Sequence, residues 1–327
     1  MPILLVLCGS ALSLMERLLG HGSPLYGRAS ERPFLAPLDY RFAAEFASAA
    51  SPEQLLRRFA VLGGTPQYQV WAGRADLRSI VRDRILTKGA PLYEEPLHLL
   101  REGEGVCDPG TYLAILRAIA GGATRHNEIA QQAGVTSANL PRKLERLEEL
   151  GYVTPVCPLA AGGRENRSVY RSADPFFRFW FRYVARNRSR LERGRVDEVL
   201  VEVIEDLDNL MGATFEECCR QWVGQYADEG LVGRSEQIGS WWSRDGGIEV
   251  DIVGVRRGRY ELLGSCKWGA VVDERELDTL YEQRAALGGP AARARLALFA
   301  RERFTSRLRE RAAEEGVILV AAVDLFS

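Results

Sequence analysis

Two apolar stretches, IEVDIVGV at 248–255 and YELLGSCKWG at 260–269, constrain this chain more than any other feature of its 327 residues. Both are rich in β-branched and aliphatic residues. An Arg-Arg-Gly-Arg turn joins them, so they read as a hairpin of two largely buried strands. Side chains alternate between the faces of a strand, which puts Glu249 and Asp251 on one face of the first and Ser265 and Lys267 on one face of the second. With residues 257–259 as a three-residue loop, antiparallel register sets Asp251 opposite Ser265 and Glu249 opposite Lys267. Four polar groups then meet on one side of an apolar ribbon, and a slip of one residue would scatter them.

Lys267 stands out by composition as well. The chain has 40 Arg but three Lys, at 88, 143 and 267. A compact ammonium kept where arginine is the rule invites a chemical reason. The plainer alternative is a structural lysine salt-bridged to Glu249 or Asp251. Charge is also divided unevenly: residues 1–195 carry 27 basic and 19 acidic residues, and residues 196–327 carry 16 and 25. The resulting +8 and −9 place any nucleic-acid contact in the front half.

The hairpin belongs to an α/β segment. Helices are expected at 196–210 and 213–226, then the two strands, a helix at 277–287, a strand at 294–300, a helix at 306–315 and a strand at 317–325. Ahead of it, helices at 112–120, 126–133 and 137–150, with a tight turn at Gly134-Val135-Thr136, precede strands at 152–156 and 168–171. That order is a winged helix-turn-helix. Leu140, Leu144, Leu147 and Leu150 share one face of its third helix, and Asn139, Arg142, Lys143 and Arg146 share another. A recognition helix has this layout, with Arg164 and Arg167 on the wing reaching phosphate. Glu145, Glu148 and Glu149 on the same helix leave a protein-binding role open. Asp174-Pro175 starts a helix bearing Phe176, Phe177, Phe179, Trp180, Phe181 and Tyr183. It reads as a helix packed between domains, with a base-stacking platform as the alternative. Nearer the start, residues 3–8 read as a buried strand and 12–19 as a short helix. Helices follow at 38–46 and 53–62, the second capped by Ser51-Pro52 and broken by Gly63-Gly64-Thr65-Pro66.

No apolar run approaches the length of a membrane span. The six cysteines are scattered without a Cys-x-x-Cys pair and there are three His, so no zinc site is expected. The expected location is the cytoplasm.

The hairpin resembles the PD-(D/E)xK nuclease core. The resemblance implies that carboxylates hold a hard divalent cation, Mg²⁺ or Mn²⁺, while the lysine helps polarise the attacking water. Carried onto this chain, it makes Asp251, Glu249, Glu216 and Lys267 the catalytic set, with Asp251 and Glu216 as metal ligands. Ser265 stands where the second acid belongs, a weaker ligand that leaves the site degenerate unless another acid replaces it.

The whole chain resembles the back two-thirds of an archaeal-type ATPase of the AAA-like STAND group. ILLVLCGSALSLME (3–16) resembles the sensor-1 strand and helix, and SPLYGR (23–28), FAVLGGTPQY (59–68) and DPFFRFWFRYV (174–184) follow in family order. The resemblance implies a multidomain α/β and α fold in four parts. These are a partial P-loop ATPase core (1–48), a helical lid and linker (49–106), a winged helix with a helical extension (107–195), and a restriction-endonuclease-like α/β domain (196–327). Ser10 and Arg28 become nucleotide-sensing relics. No G-x-x-x-x-G-K-[ST] occurs, so ATP is expected only if a phosphate loop lies upstream of Met1. DNA and protein partners are implied, and no membrane. The reading that results is a DNA-associated protein with a degenerate nuclease-like domain. An active metal-dependent nuclease with a relocated acid, or a non-enzymatic interaction module, are the alternatives.

Overall fold

The structure is a computed structural model. It describes residues 5–7, 18–33, 35–47, 50–102, 108–164 and 167–327. Of the strand expected at 3–8, the described Leu5, Val6 and Leu7 form none and are exposed. Ser10 lies outside the described residues. Arg28 sits in an exposed turn.

The front of the chain is helical. Asp39 caps α1 (Tyr40–Ala44) through the backbone N–H groups of Arg41 and Phe42. Ser51 and Gln54 form the capping box of α2 (Pro52–Leu62), with Pro52 at its first turn, as the sequence predicts. Gly63 and Gly64 then turn the chain into α3 (Pro66–Ala72). They cannot be anything else. Gly63 has φ 65°, and a Cβ there would lie 2.2 Å from Asp174 Oδ1; a Cβ on Gly64 would lie 2.0 Å from the Leu38 carbonyl oxygen. Asp174 is fully buried and caps the next helical layer through Phe176 N–H at 2.7 Å; burial pushes its carboxyl up to about 7. Helices α4 (Leu77–Ile80) and α5 (Glu95–Glu102) complete this part.

Three helices follow, α6 (Pro109–Ala120), α7 (His126–Ala133) and α8 (Leu140–Glu149), with Gly134 left-handed at the turn between the last two. Leu140, Leu144 and Leu147 are buried, as their spacing requires. Strands β1 (Val153–Val156) and β4 (Val169–Ser172) pair antiparallel. A small ladder of β2 (Leu159–Ala160) with β3 (Gly163–Arg164) extends the connection between them. The aromatic run forms α9 (Pro175–Phe179) and a π-helical turn leading into α10 (Ala185–Glu192). Phe176, Phe179, Trp180 and Phe181 are buried, and Trp180 Nε1–H donates to the Tyr93 carbonyl at 3.0 Å. This run is core, not a platform for bases.

One helix joins the two halves. The chain pattern splits at 210–213, yet α11 runs unbroken from Val196 to Gln225, about 45 Å. Val199, Val203, Leu207 and Leu210 enter the core under α6–α8, while Met211, Phe215, Cys219 and Trp222 enter the core of the C-terminal sheet. The sequence break is therefore a change of partner, not of structure. After the short α12 (Glu229–Val232) come β5 (Gln237–Trp242), β6 (Glu249–Arg256), β7 (Arg259–Lys267), β8 (Val271–Val272) and α13 (Glu274–Leu287). Strands β9 (Arg295–Ala300) and β10 (Arg303–Phe304), then α14 (Ser306–Glu315) and β11 (Ile318–Ala321), finish the chain. The five-stranded sheet has the order β11-β9-β7-β6-β5 and is mixed, with β7, β9 and β11 parallel. α11 covers one face; α13 and α14 cover the other. β5 was not expected from the sequence.

The divided charge is spent inside the molecule. Arg57 and Arg82 reach Asp208 and Asp197 at 2.6 and 2.8 Å. Arg182 and Arg190 reach Asp206 and Glu202 at 2.8 and 2.7 Å. The basic front half thus lies against the acidic flank of α11, and most of the arginines after the wing are partners of carboxylates.

Candidate functional site

The hairpin places the site. Its turn is two residues long, Arg257 and Gly258, both left-handed (φ 47° and 73°), the twist that suits a tight hairpin. The expected three-residue loop is corrected, and so is the ladder. Val255 pairs with Tyr260, but Gly254 pairs with Leu262, so Glu261 is bulged out. The bulge restores the offset lost in the shorter turn. Ile252 faces Gly264, and Asp251 arrives beside Ser265 as expected.

Asp251 is held by the neighbouring strand. Cys266 N–H donates to its Oδ2 at 2.7 Å and Ser265 Oγ–H at 3.3 Å. Ser265 is 4% exposed. Its Oγ also lies 3.4 Å from Glu276 Oε2, and its single proton serves one of the two carboxylates at a time. Lys267 Nζ lies 3.3 Å from the same Glu276 oxygen, with its side chain 47% exposed. The β6–β7 ladder ends at Ile252, short of Glu249; Glu249 pairs with Trp242 of β5 on its other side, and its carboxylate lies 3.4 Å from Arg171. The lysine's partner is Glu276.

Sequence reasoning missed Glu276 because it started the helix at Leu277. The helix starts at Glu274, capped by Asp273, which puts Glu276 in its first turn. An acid there is what a helix N-terminus favours in any protein, so the residue carried no signal of its own. A chemical signal was nonetheless present: a displaced acid has to come from an element that packs on Ser265, and α13 follows directly.

The remaining acids are engaged by arginines. Glu216 lies 3.6 Å from Arg171 and 3.6 Å from Arg220, its neighbour one turn along α11. Arg220 also donates to the Asp251 carbonyl at 2.9 Å. Burial pushes the Asp251 carboxyl up to about 6. The nearby charges of Glu216 and Glu249 add to that rise, while Cys266 N–H and Lys267 oppose it. Among the described residues no three His, Cys, Asp or Glu side chains close into a metal cluster. Glu216 and Glu249, with Arg171, Arg178 and Arg220, line a cleft of about 790 Å³ between the 119–182 segment and the C-terminal sheet; Asp251 and Glu276 are not among its walls.

The cations of α8 and of the strands after it are used unevenly. Asn139 and Arg142 are exposed, and Arg142 has no bonding partner among the described residues. Lys143 lies over the Tyr112 ring at 4.7 Å, and Arg146 pairs with Glu149 at 2.6 Å. Arg164 is on β3 opposite Leu159. Arg167, expected to reach phosphate, instead donates to the Trp242 carbonyl at 3.0 Å.

Residues 180–279 match the family DUF234, described as archaeal and bacterial proteins of unknown function. That window holds Asp251, Ser265, Lys267 and Glu276. The chain is similar to the uncharacterized protein MJECL04 of Methanocaldococcus jannaschii, 27% identical over 280 residues, which cover 85% of this chain and 62% of that one. A crystal structure of protein VC1899 from Vibrio cholerae aligns with 70% of this chain and 51% of its own, at 17% identity and a TM-score of 0.29, too low to carry an argument. The chain thus spans less than two thirds of either protein. No described helix is long and apolar enough to cross a membrane.

Proposed function

We propose that the C-terminal domain is a metal-dependent nuclease in which Glu276 replaces the acid displaced by Ser265. The observation that carries this reading is the meeting of one Glu276 oxygen with both Ser265 Oγ and Lys267 Nζ. It supports the reading by bringing a carboxylate to the place where the strand itself is one acid short.

The donor set fits Mg²⁺ or Mn²⁺. Asp251 has one oxygen committed to Cys266 N–H and Ser265, which leaves Oδ1 for a ligand. Glu276 supplies a second carboxylate. Two carboxylates suffice for Mg²⁺, which keeps several waters and takes substrate phosphate as a further ligand. Such a cation, when bound, polarises a phosphoryl oxygen and lowers the pKa of water. The chain's own residues do the positioning. Cys266 N–H fixes Asp251, Glu276 aims the Lys267 ammonium, and half-exposed Lys267 is the group able to meet an attacking water or a phosphate oxygen.

Cleavage of labelled single- and double-stranded DNA by the full chain, in Mg²⁺, in Mn²⁺ and in EDTA, tests this. Cutting in metal and none in EDTA is expected, with loss to background in Lys267→Ala and Glu276→Gln. No cutting in either metal would sink the proposal. Normal cutting by Glu276→Gln would remove Glu276 from it.

The winged helix supports DNA as the substrate through the outward-facing Asn139 and Arg142. Arg142→Ala is expected to weaken DNA binding and to lower the slope of log affinity against log salt by about 1, as for a lost phosphate contact. An unchanged slope, read by fluorescence anisotropy, would favour a protein-binding role for this helix.

A further inference from the structure

We propose that the winged helix holds the acid site shut, with Arg171 as the latch. The inference rests on the nuclease reading above. Arg171 is carried by β4, outside the C-terminal domain, yet its guanidinium spans Glu216 at 3.6 Å and Glu249 at 3.4 Å. Glu216 also has Arg220 at 3.6 Å, and that cation is a fixed part of α11. Two carboxylates therefore face two guanidiniums. Asp251 is not in the cleft wall, but the charges of Glu216 and Glu249 reach it, so a divalent cation there gains no net attraction from that pair while both guanidiniums are in place. Withdrawing Arg171 frees Glu249 and leaves one carboxylate of the pair uncompensated, which is the electrostatic change that favours a dication.

The wing is docked by contacts built for it. Leu159 at its tip is 2% exposed and belongs to the apolar core formed by Val253, Leu263 and Leu277 of the C-terminal domain. Gly239 on β5 makes room for it: a Cβ there would lie 3.2 Å from Leu159 Cβ. Arg167 donates to Trp242 on the same strand, and Gly246 leaves space for the Arg125 guanidinium, 2.5 Å from where its Cβ would stand. These contacts are few and local, and the cleft of about 790 Å³ lies beside them. One buried leucine and a handful of arginine contacts are the scale of a contact that opens, unlike the continuous packing along α11. Docking occupies Arg167 of the wing with the Trp242 carbonyl, so DNA that captures the wing competes with the contact that closes the site.

The test measures Mn²⁺ binding to the full chain by electron paramagnetic resonance, beside DNA cleavage. Arg171→Ala removes the latch; Leu159→Asn undocks the wing without adding or removing a charge; circular dichroism checks that both fold. Both variants are expected to bind Mn²⁺ about tenfold tighter than the wild type and to cleave faster, since one unit charge a few ångströms away is worth at least that much. If the wild type cleaves and both variants match it in Mn²⁺ affinity, the latch is wrong and the nuclease reading stands. Tighter binding in Leu159→Asn alone removes Arg171 as the latch. If neither the wild type nor either variant binds Mn²⁺ or cleaves, the nuclease reading itself fails.

Discussion

Gly64→Ala should lower the melting temperature of this protein by roughly 6 °C, the equivalent of about 4 kcal/mol for a chain of this size. The added Cβ would lie 2.0 Å from the Leu38 carbonyl oxygen and 3.0 Å from Leu38 N and C. These are backbone atoms, which cannot rotate away as a side chain does. Nor can the segment shift freely. Leu38 N–H donates to the Gly64 carbonyl at 2.8 Å, and the next residue, Asp39, caps α1. In α1, Tyr40 donates its hydroxyl to the Leu325 carbonyl at 2.7 Å, and Arg41 reaches the same oxygen. Relief of the clash would therefore pull on the C-terminal end of the chain. Gly73→Ala is the control. Gly73, unlike Gly64, has a positive φ, 58°, and nothing lies within 4 Å of its would-be Cβ, so only backbone strain of about 2 kcal/mol applies. Thermal unfolding followed by circular dichroism separates the two. Equal shifts for Gly64→Ala and Gly73→Ala would mean that the close approach to Leu38 is not what requires the glycine.

The sequence was legible wherever local chemistry decides. The capping box of α2, the buried leucines of α8 and the apolar hairpin all follow from spacing within one or two turns. Long-range consequences were not. The gap in the pattern at 210–213 reads as a break because periodicity records which face is buried, and that face changes where α11 passes from one core to the other. QIGSWW at β5 was passed over because its glycine exists to accommodate Leu159, a residue 80 positions away. The hairpin register came out as expected through two compensating departures, a shorter turn and a bulge at Glu261. The charge division suggested a nucleic-acid face, whereas Arg82, Arg182 and Arg190 find their carboxylates on α11. Ion-pair partners are set by packing, and no spacing rule reports them. The same reason hid Glu276: three of the four site residues lie on two adjacent strands, and the fourth becomes one of them only when α13 folds back over β7.

Asp251→Asn should move stability and activity in opposite directions, and this is the sharpest separation of a working site from a relic. Burial and neighbouring carboxylates raise the Asp251 carboxyl from 3.8 to about 6 in the folded chain. A raised carboxyl contributes stability that is fully present below the unfolded value and is lost as pH rises through the folded one. The wild type therefore forfeits stability between pH 3.8 and about 6 and stays lower above it. Asparagine has no charge to lose. Its carbonyl oxygen keeps the Cys266 N–H and Ser265 hydrogen bonds, and its amide takes the place of Oδ1. Near pH 4 the two proteins should melt together; at pH 8 the variant should be more stable by about 2 kcal/mol, a shift of several degrees. The same substitution removes the anionic oxygen that the nuclease reading needs, so cleavage should fall by at least about 100-fold. Scanning fluorimetry at both pH values, alongside the cleavage assay, reads both effects on one preparation. A stability gain at pH 8 with cleavage unchanged would show Asp251 to be buried strain without a function. A loss of stability at pH 8 would show that its charge is compensated in the fold, contrary to the burial that defines the site.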